Sequence, residues 1–304
     1  MRPLLRRLAA WAAVVLAVHA AAFLLVRAAR GGPFDAEREL PPEIEAALRA
    51  EYHLDEGLGR QYLRSLGGLL QGDFGPSMRY RGVEVGQLLG EALPVSLAVG
   101  LGALGVALAL GVTAGIAAAW RRRGTDALVL VSSTLALSLP NFILAGAAVA
   151  LFSFGLGWLP PAGYGGLRHL VLPWLCLGLP YAAQIARLTR NSALEVLASP
   201  PLQTVLAQGM PPGRILRRHV LRRSLTPVLA FLGPAAAGLL TGSLVIEQVF
   251  ALPGLGAHFV QAALNRDYTL ALGATVVYTA LLGAFSLAAD LLMKRLDPRL
   301  ETLA

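Results

Sequence analysis

The sequence predicts an all-α integral membrane protein: six transmembrane helices and a helical external segment after the first of them. Two observations carry that expectation. Of 304 residues, 56% are hydrophobic and only 14% charged, whereas soluble domains carry roughly 25% charge. The 26 basic residues, all arginine except Lys294, punctuate apolar stretches instead of forming one basic face, the pattern of membrane topology signals and not of nucleic-acid binding. The single cysteine, Cys176, rules out an intrachain disulfide and a cysteine-based metal site.

A membrane helix needs about 20 mostly apolar residues. Six segments meet that length, at about 8–26, 92–119, 128–155, 170–188, 227–248 and 269–293. The first exceeds the 7 to 15 apolar residues of a signal-peptide core, so a retained anchor is expected. Counting only the termini and short loops, one side carries sixteen basic residues, among them Arg6, Arg121, Arg187, Arg190 and Arg217, and the other only Arg168 and Arg266. The positive-inside rule then puts both termini in the cytoplasm. The long loop after the first span balances eight arginines against eleven acids, and long loops are translocated regardless of charge.

That external loop reads as helical. PPEIEAALRAEYHL opens on prolines suited to a helix start and sets Ile44, Leu48 and Tyr52 on one stripe; LGRQYLRSLGGLL does the same with Leu58, Tyr62, Leu66 and Leu69. Both suit packing on neighbouring spans or the outer membrane surface. Within the spans, Gly111 and Gly115, and Gly238 and Gly242, have the G-x-x-x-G spacing that lets helices approach. Pro140, Pro173, Pro180 and Pro234 allow bends. Intramembrane polar groups are functional candidates: Asn141, Gln184 and Glu247 could line a translocation path, Glu247 near a span's outer end where burial is partial, with His19 a further polar group. Asp290 reads as an i, i+4 partner of Lys294.

The segment 187–226 cannot cross a bilayer, since each of Arg214, Arg217, Arg218, Arg222 and Arg223 would cost about 2.5 to 3.5 kcal/mol at its centre. It is expected to be a cytoplasmic loop holding a two-turn helix. Ser199 suits the N-cap, Pro200 the first helical position and Gly209 the stop before Met210-Pro211-Pro212. Leu202, Val205 and Leu206 share one face, while Gln203, Thr204 and Gln208 lie on others. So short a helix needs a surface, supplied either by this chain's own helix ends or by a partner's groove. No H-E-x-x-H, G-x-S-x-G or Walker A motif occurs and the five histidines lack metal-ligand spacing, so neither an enzyme nor a metal site is expected.

Several stretches together resemble one family. LLRRLAAW, LGRQYLRSLGGLLQGDFGPS, LGWLPPAGYG, LRHLVLPWLCLGLP, ARLTRNSALEVL, RILRRHVLRRSLTPVL, VIEQVFALPGLG, NRDY and LDPR are similar to the membrane-spanning permease subunits of bacterial ABC importers of the dipeptide, oligopeptide and nickel class. The resemblance runs along essentially the whole chain and implies the type I ABC importer permease fold. Residues 1–91 would form the N-terminal span and external amphipathic segment, and 92–304 the ABC type-1 transmembrane domain with its coupling loop 187–226. It implies a coupling helix over Ser199, Pro200, Leu202, Gln203, Thr204, Val205, Leu206, Gln208, Gly209 and Met210 that docks on an ATP-hydrolysing subunit. The family pattern there is acidic-aromatic-Val-Arg-Thr-Ala-Arg-Ala-Lys-Gly. This chain reads PPLQTVLAQG, keeping Thr204 and Gly209 but placing Gln203, Leu206 and Gln208 at the basic positions, so docking by shape and apolar contact is implied.

The resemblance further implies a heterodimer with a second permease, two ABC ATPase subunits, an external substrate-binding protein, and a location in the bacterial inner membrane. No cofactor would be bound by this chain; ATP and magnesium would be used by the partners. Small peptides are the implied cargo, with nickel chelates or other small solutes as the alternative. A secondary transporter independent of ATP is the rival class, disfavoured by the sparse intramembrane charge. An ABC export or scaffold subunit could use the same loop.

Overall fold

A computed structural model describes residues 2–28, 32–33, 41–121 and 124–296. Arg122, Arg123, the acids between 35 and 39 and the LDPR stretch past Leu296 lie outside the described residues, as do the side chains of Arg2, Leu206, Lys294 and Arg295 and the surroundings of Gly242. In chain order the helices are α1 (Arg2–Ala28), α2 (Pro42–Glu51), α3 (Leu58–Gln71), α4 (Val85–Arg121), α5 (Thr125–Ser138) and α6 (Asn141–Ala148), which passes into a π-helical turn at Val149–Gly155. Then follow α7 (Leu167–Ala198), α8 (Pro200–Ala207), α9 (Pro212–Ile215), a second π-helical stretch at Leu216–Leu221, α10 (Arg222–Ser224), α11 (Thr226–Val249), α12 (Leu255–Leu264) and α13 (Tyr268–Leu296).

Among the described residues, five helices are long and apolar enough to cross a membrane, and the pair Thr125–Ser138 and Asn141–Gly155 makes a sixth if counted as one span. That pair is bent by 107°, where the sequence suggests one segment over 128–155. The cause is Pro140. It has no N–H, and its ring forces the preceding residue out of the helical region: Leu139 is extended at φ −91°, ψ 129°. By contrast Pro173, Pro180, Pro234 and also Pro94 sit inside continuous helices. A second difference is that α7 continues past Arg187 and Arg190 to Ala198. Arginines mark where a span leaves the hydrocarbon, not where a helix stops.

The chain forms two compact units, one of Met1–Ser96 and Pro253–Gly283, the other of Leu97–Leu252 and Ala284–Ala304. In the first, the core joins Val85, Leu89 and Ala92 of α4 with Leu255 and Ala262 of α12 and Leu270 and Ala274 of α13. Pro42 opens α2 and Gly72 ends α3 in the left-handed region at φ +76°. The apolar face of α3 turns inward, Tyr62 lying 5.4 Å from the rings of His19 and Phe23 on α1, although Leu58 stays exposed. Tyr52 donates from its hydroxyl to the Ser77 carbonyl at 3.0 Å; burial, then the nearby Glu51, pushes its pKa up, keeping the donor protonated.

Asp267, buried just before α13, organises the loop 73–83. It accepts hydrogen bonds from Ser77 Oγ at 2.5 Å, the amides of Met78 and Arg79 at 3.2 and 3.3 Å, and, as the cap of its own helix, Leu270 N at 3.1 Å. Thr269 Oγ1 adds a bond to the Pro76 carbonyl at 2.7 Å.

In the second unit α4 and α7 meet along small residues, as the glycine spacing predicts. A Cβ on Gly111 would stand 2.7 Å from the Ala182 carbonyl oxygen, one on Gly115 2.5 Å from that of Ala186, and one on Gly178 2.7 Å from that of Ala103. Gly102 lies under the indole of Trp174, whose Nε1 donates to the Ala98 carbonyl at 2.9 Å. Gly238 of α11 faces the Tyr181 hydroxyl.

Candidate functional site

The short helix α8 is the element whose design is least explained by membrane crossing. The Ser199 carbonyl accepts from Leu202 N and Gln203 N at 3.0 and 3.1 Å, which opens α8, but the Ser199 hydroxyl donates back to the Val196 carbonyl at 2.7 Å. Ser199 therefore closes α7 with its side chain and starts α8 with its backbone, in place of the side-chain N-cap the sequence suggests. Gly209 leaves α8 at φ +75°, a conformation that L side chains adopt only with strain. Pro200 begins the helix and Gln208 lies just beyond its last helical residue, Ala207.

The apolar face of α8 is already occupied. Leu202 is 2% exposed and packs with Ala119, Ala193, Ile215 and Val220, with Val205 and Met210 against the same cluster. Of the two surfaces the sequence leaves open, the chain's own helices take the face of Leu202 and Val205. The segment α9–α10, threaded immediately after Gly209, supplies Ile215 and Val220 and so covers the stripe. What remains outward are Gln203, Thr204, Gln208 and Gly209 together with Pro200, Pro201 and Ala207, with Arg214, Arg217, Arg218, Arg222 and Arg223 exposed on the following segment. Gln203 Nε2 donates to the Leu197 carbonyl at 2.8 Å and Thr204 Oγ1 to that of Pro200 at 3.2 Å. Leu202→Ala is expected to cost about 2–5 kcal/mol of stability, whereas Gln203→Ala should stay within about 0.5 kcal/mol; thermal unfolding of the purified protein in detergent distinguishes them.

A residue pair without a local signature in the sequence ties α7 to α5 upstream of α8. Arg190, on the stretch of α7 leading into it, binds Asp126 in the first turn of α5 through Nε and Nη2, with Nη2 to Oδ2 at 2.7 Å, and Nη1 also donates to Asn191 Oδ1 at 3.1 Å. A bidentate pair fixes direction as well as distance. In the sequence Arg190 is indistinguishable from the arginines that only mark topology.

The candidate path residues fall on three helices, α6, α7 and α11, that pack pairwise. Asn141 is the first residue of α6 and half-buried; Gln184 is half-buried at mid-length of α7. Neither makes a hydrogen bond with the other among the described residues. Glu247 is 0% exposed, not partly buried as its place near a helix end suggests, because the chain reverses over it: Leu252 N donates to the Glu247 carbonyl at 2.9 Å and Gly163 N to that of Phe250 at 2.8 Å. His19 belongs to the first unit, where its Nε2 lies 3.0 Å from Ser65 Oγ.

Apolar spans, a glycine-packed helix pair and a short helix presented on a basic loop define a helical membrane protein with one polar segment outside the bilayer. Residues 111–302 match the model of the binding-protein-dependent transport system inner membrane component family, and the chain belongs to that family. It is 43% identical to the oligopeptide transport system permease protein OppB of Haemophilus influenzae and 42% to that of Escherichia coli K12, in each case over 92% of both chains. It is 38% identical to the dipeptide transport system permease protein DppB of Bacillus subtilis over 99% of this chain and 98% of the relative. The type I ABC importer permease fold is borne out by a solved chain of the MetNI methionine ABC transporter in an inward-facing conformation, with a TM-score of 0.55 at 19% identity over 69% of this chain and 97% of that one.

Proposed function

We propose that this chain is the permease subunit of an ATP-driven importer of small peptides and that α8 couples it to an ATP-hydrolysing partner. The observation that carries the coupling reading is the division of α8 into a face locked in the chain's own core and a polar face left outward. A helix held that way transmits a push to α7 instead of yielding to it. The partner closes on nucleotide, its cleft moves Gln203, Thr204 and Gln208, and α7, held to α5 by Arg190 and Asp126, carries the motion into the spans. This is a two-state element biased by a ligand bound elsewhere.

The assembly comprises a second permease, two ATPase subunits and an external binding protein, with ATP and magnesium bound by the ATPases and none of the hydrolytic chemistry on this chain. Both termini face the cytoplasm, which the arginine asymmetry supports. Peptide cargo is supported by the similarity to the oligopeptide permease OppB and the dipeptide permease DppB.

The test is uptake of a labelled oligopeptide by proteoliposomes holding the complete transporter. Uptake should require ATP inside, in the compartment of the termini, and the binding protein outside, with unlabelled peptide competing. Competition by a nickel chelate but not by peptide would replace the cargo. Uptake insensitive to ATP but abolished by an uncoupler would overturn the ATP-driven reading.

A further inference from the structure

The first unit contains a cleft of about 420 Å³ between α1, α3, the loop 73–83 and α13. Its lining combines charged and polar groups, Arg27, Glu51, Asp73 and Thr269 among them, with the apolar side chains of Phe23, Leu69, Leu272 and Val276. Arg27 is next to the last residue of α1 and Tyr268 is the first of α13, so both lie where a span leaves the apolar layer.

Arg27 is held for a purpose that the fold does not use up. Its guanidinium carbon lies 5.0 Å from the centre of the Phe23 ring and 5.1 Å from that of Tyr268, a favourable stacking of cation on aromatic faces. Nε donates to Gln61 Oε1 at 2.8 Å, and Gln61 is itself fixed by bonds to the carbonyls of Leu54 and Glu56 at 3.0 and 2.7 Å. Yet Nη1 is buried with no acceptor among the described residues. A buried charged donor left unmatched is costly, and this one is too constrained to swing toward water. Two turns deeper on the same face of α1, His19, 2% exposed, meets Ser65 through Nε2 while its Nδ1 is likewise unmatched among the described residues.

We infer that the cleft binds a zwitterionic membrane phospholipid, with its phosphate on Arg27 Nη1 and its ammonium group toward Glu51 and Asp73. With the Ser65 hydroxyl donating to Nε2, His19 presents an N–H at Nδ1 suited to a glycerol ester carbonyl, and an acyl chain follows Leu69, Leu272 and Val276. The lining carboxylates of Glu51 and Asp73 beside the stacked Arg27 complement a headgroup carrying both charges, and the apolar lining complements a chain that a free anion lacks. The lipid would tie α1 and α3 to α13 and so stiffen the unit.

The experiment uses the assembled transporter in phosphatidylcholine nanodiscs doped with a phosphatidylethanolamine bearing a photoactivatable acyl chain. After irradiation, mass spectrometry should place the label on peptides of α1, α3 and α13. Arg27→Gln should lower that labelling at least about tenfold, the loss of one charge-assisted hydrogen bond, and Arg27→Lys should restore part of it. Leu69→Trp, which enlarges the apolar lining without altering Arg27, should also lower it, with assembly of each variant checked by co-purification of its partners. Labelling unchanged in Arg27→Gln, or absent from these helices in the unaltered protein, would overturn the site. Displacement by excess inorganic phosphate in the same membranes would show that the anion alone is the ligand and overturn the lipid.

Discussion

Gly115→Leu is expected to abolish recovery of folded protein, and even Gly115→Ala to lower its unfolding temperature markedly. A Cβ at this position would meet the Ala186 carbonyl oxygen at 2.5 Å, Thr189 Cβ at 2.7 Å and Arg190 N at 3.1 Å. Two of these are backbone atoms, which cannot rotate aside, so α4 and α7 must separate along their length. Overpacking usually costs about 1–3 kcal/mol and more where backbone must shift. Gly105→Ala on the same helix is the control, since nothing lies within 4 Å of its added carbon; its stability should be unchanged. Equal losses at the two positions would mean that helix propensity or insertion, not the α4–α7 seam, sets the cost. The same stretch of α7 carries Arg190, so any Gly115 variant that does fold should transport poorly.

Asp267→Ala should be the most damaging single change in the first unit. It removes the cap of α13, worth about 1 kcal/mol, and leaves the buried Ser77 hydroxyl and the Met78 amide without their acceptor, at about 1–3 kcal/mol for each unmatched group, while the Arg79 amide keeps its bond to Ser77 Oγ. A loss on the order of 3–7 kcal/mol follows, together with release of the loop 73–83, which limited proteolysis would read as new cleavage between Asp73 and Val83. Asp267→Asn keeps one carbonyl oxygen for the amides and should lose less. Resistance of the alanine variant to protease, at unchanged melting temperature, would contradict the role assigned to this carboxylate.

The spans were legible because a bilayer selects composition over a fixed length, and a chain with 14% charge leaves little freedom in placing them. The bounds of α8 were also legible, since Pro200 and Gly209 act locally: one suits the first turn and the other takes a positive φ. Three things were not. Pro140 breaks its span while Pro173 and Pro180 do not, and nothing in the local sequence separates them, because neighbouring helices decide whether freed backbone groups find partners. The stripe of Leu202 and Val205 announces burial but not against what. Asp267 is 190 residues from Ser77, and a long-range polar contact has no local signature beyond a helix-capping aspartate.

We propose that the polar face of α8, not its apolar face, meets the ATP-hydrolysing partner. This is tested most directly by placing a photo-crosslinking residue at position 203 and, separately, at position 202 in native membranes and identifying what each captures. Position 203 should capture an ATPase subunit, and position 202 only peptides of this chain near Ala193, Ile215 and Val220. Capture of the ATPase from position 202 but not 203, or of this chain alone from both, would contradict it.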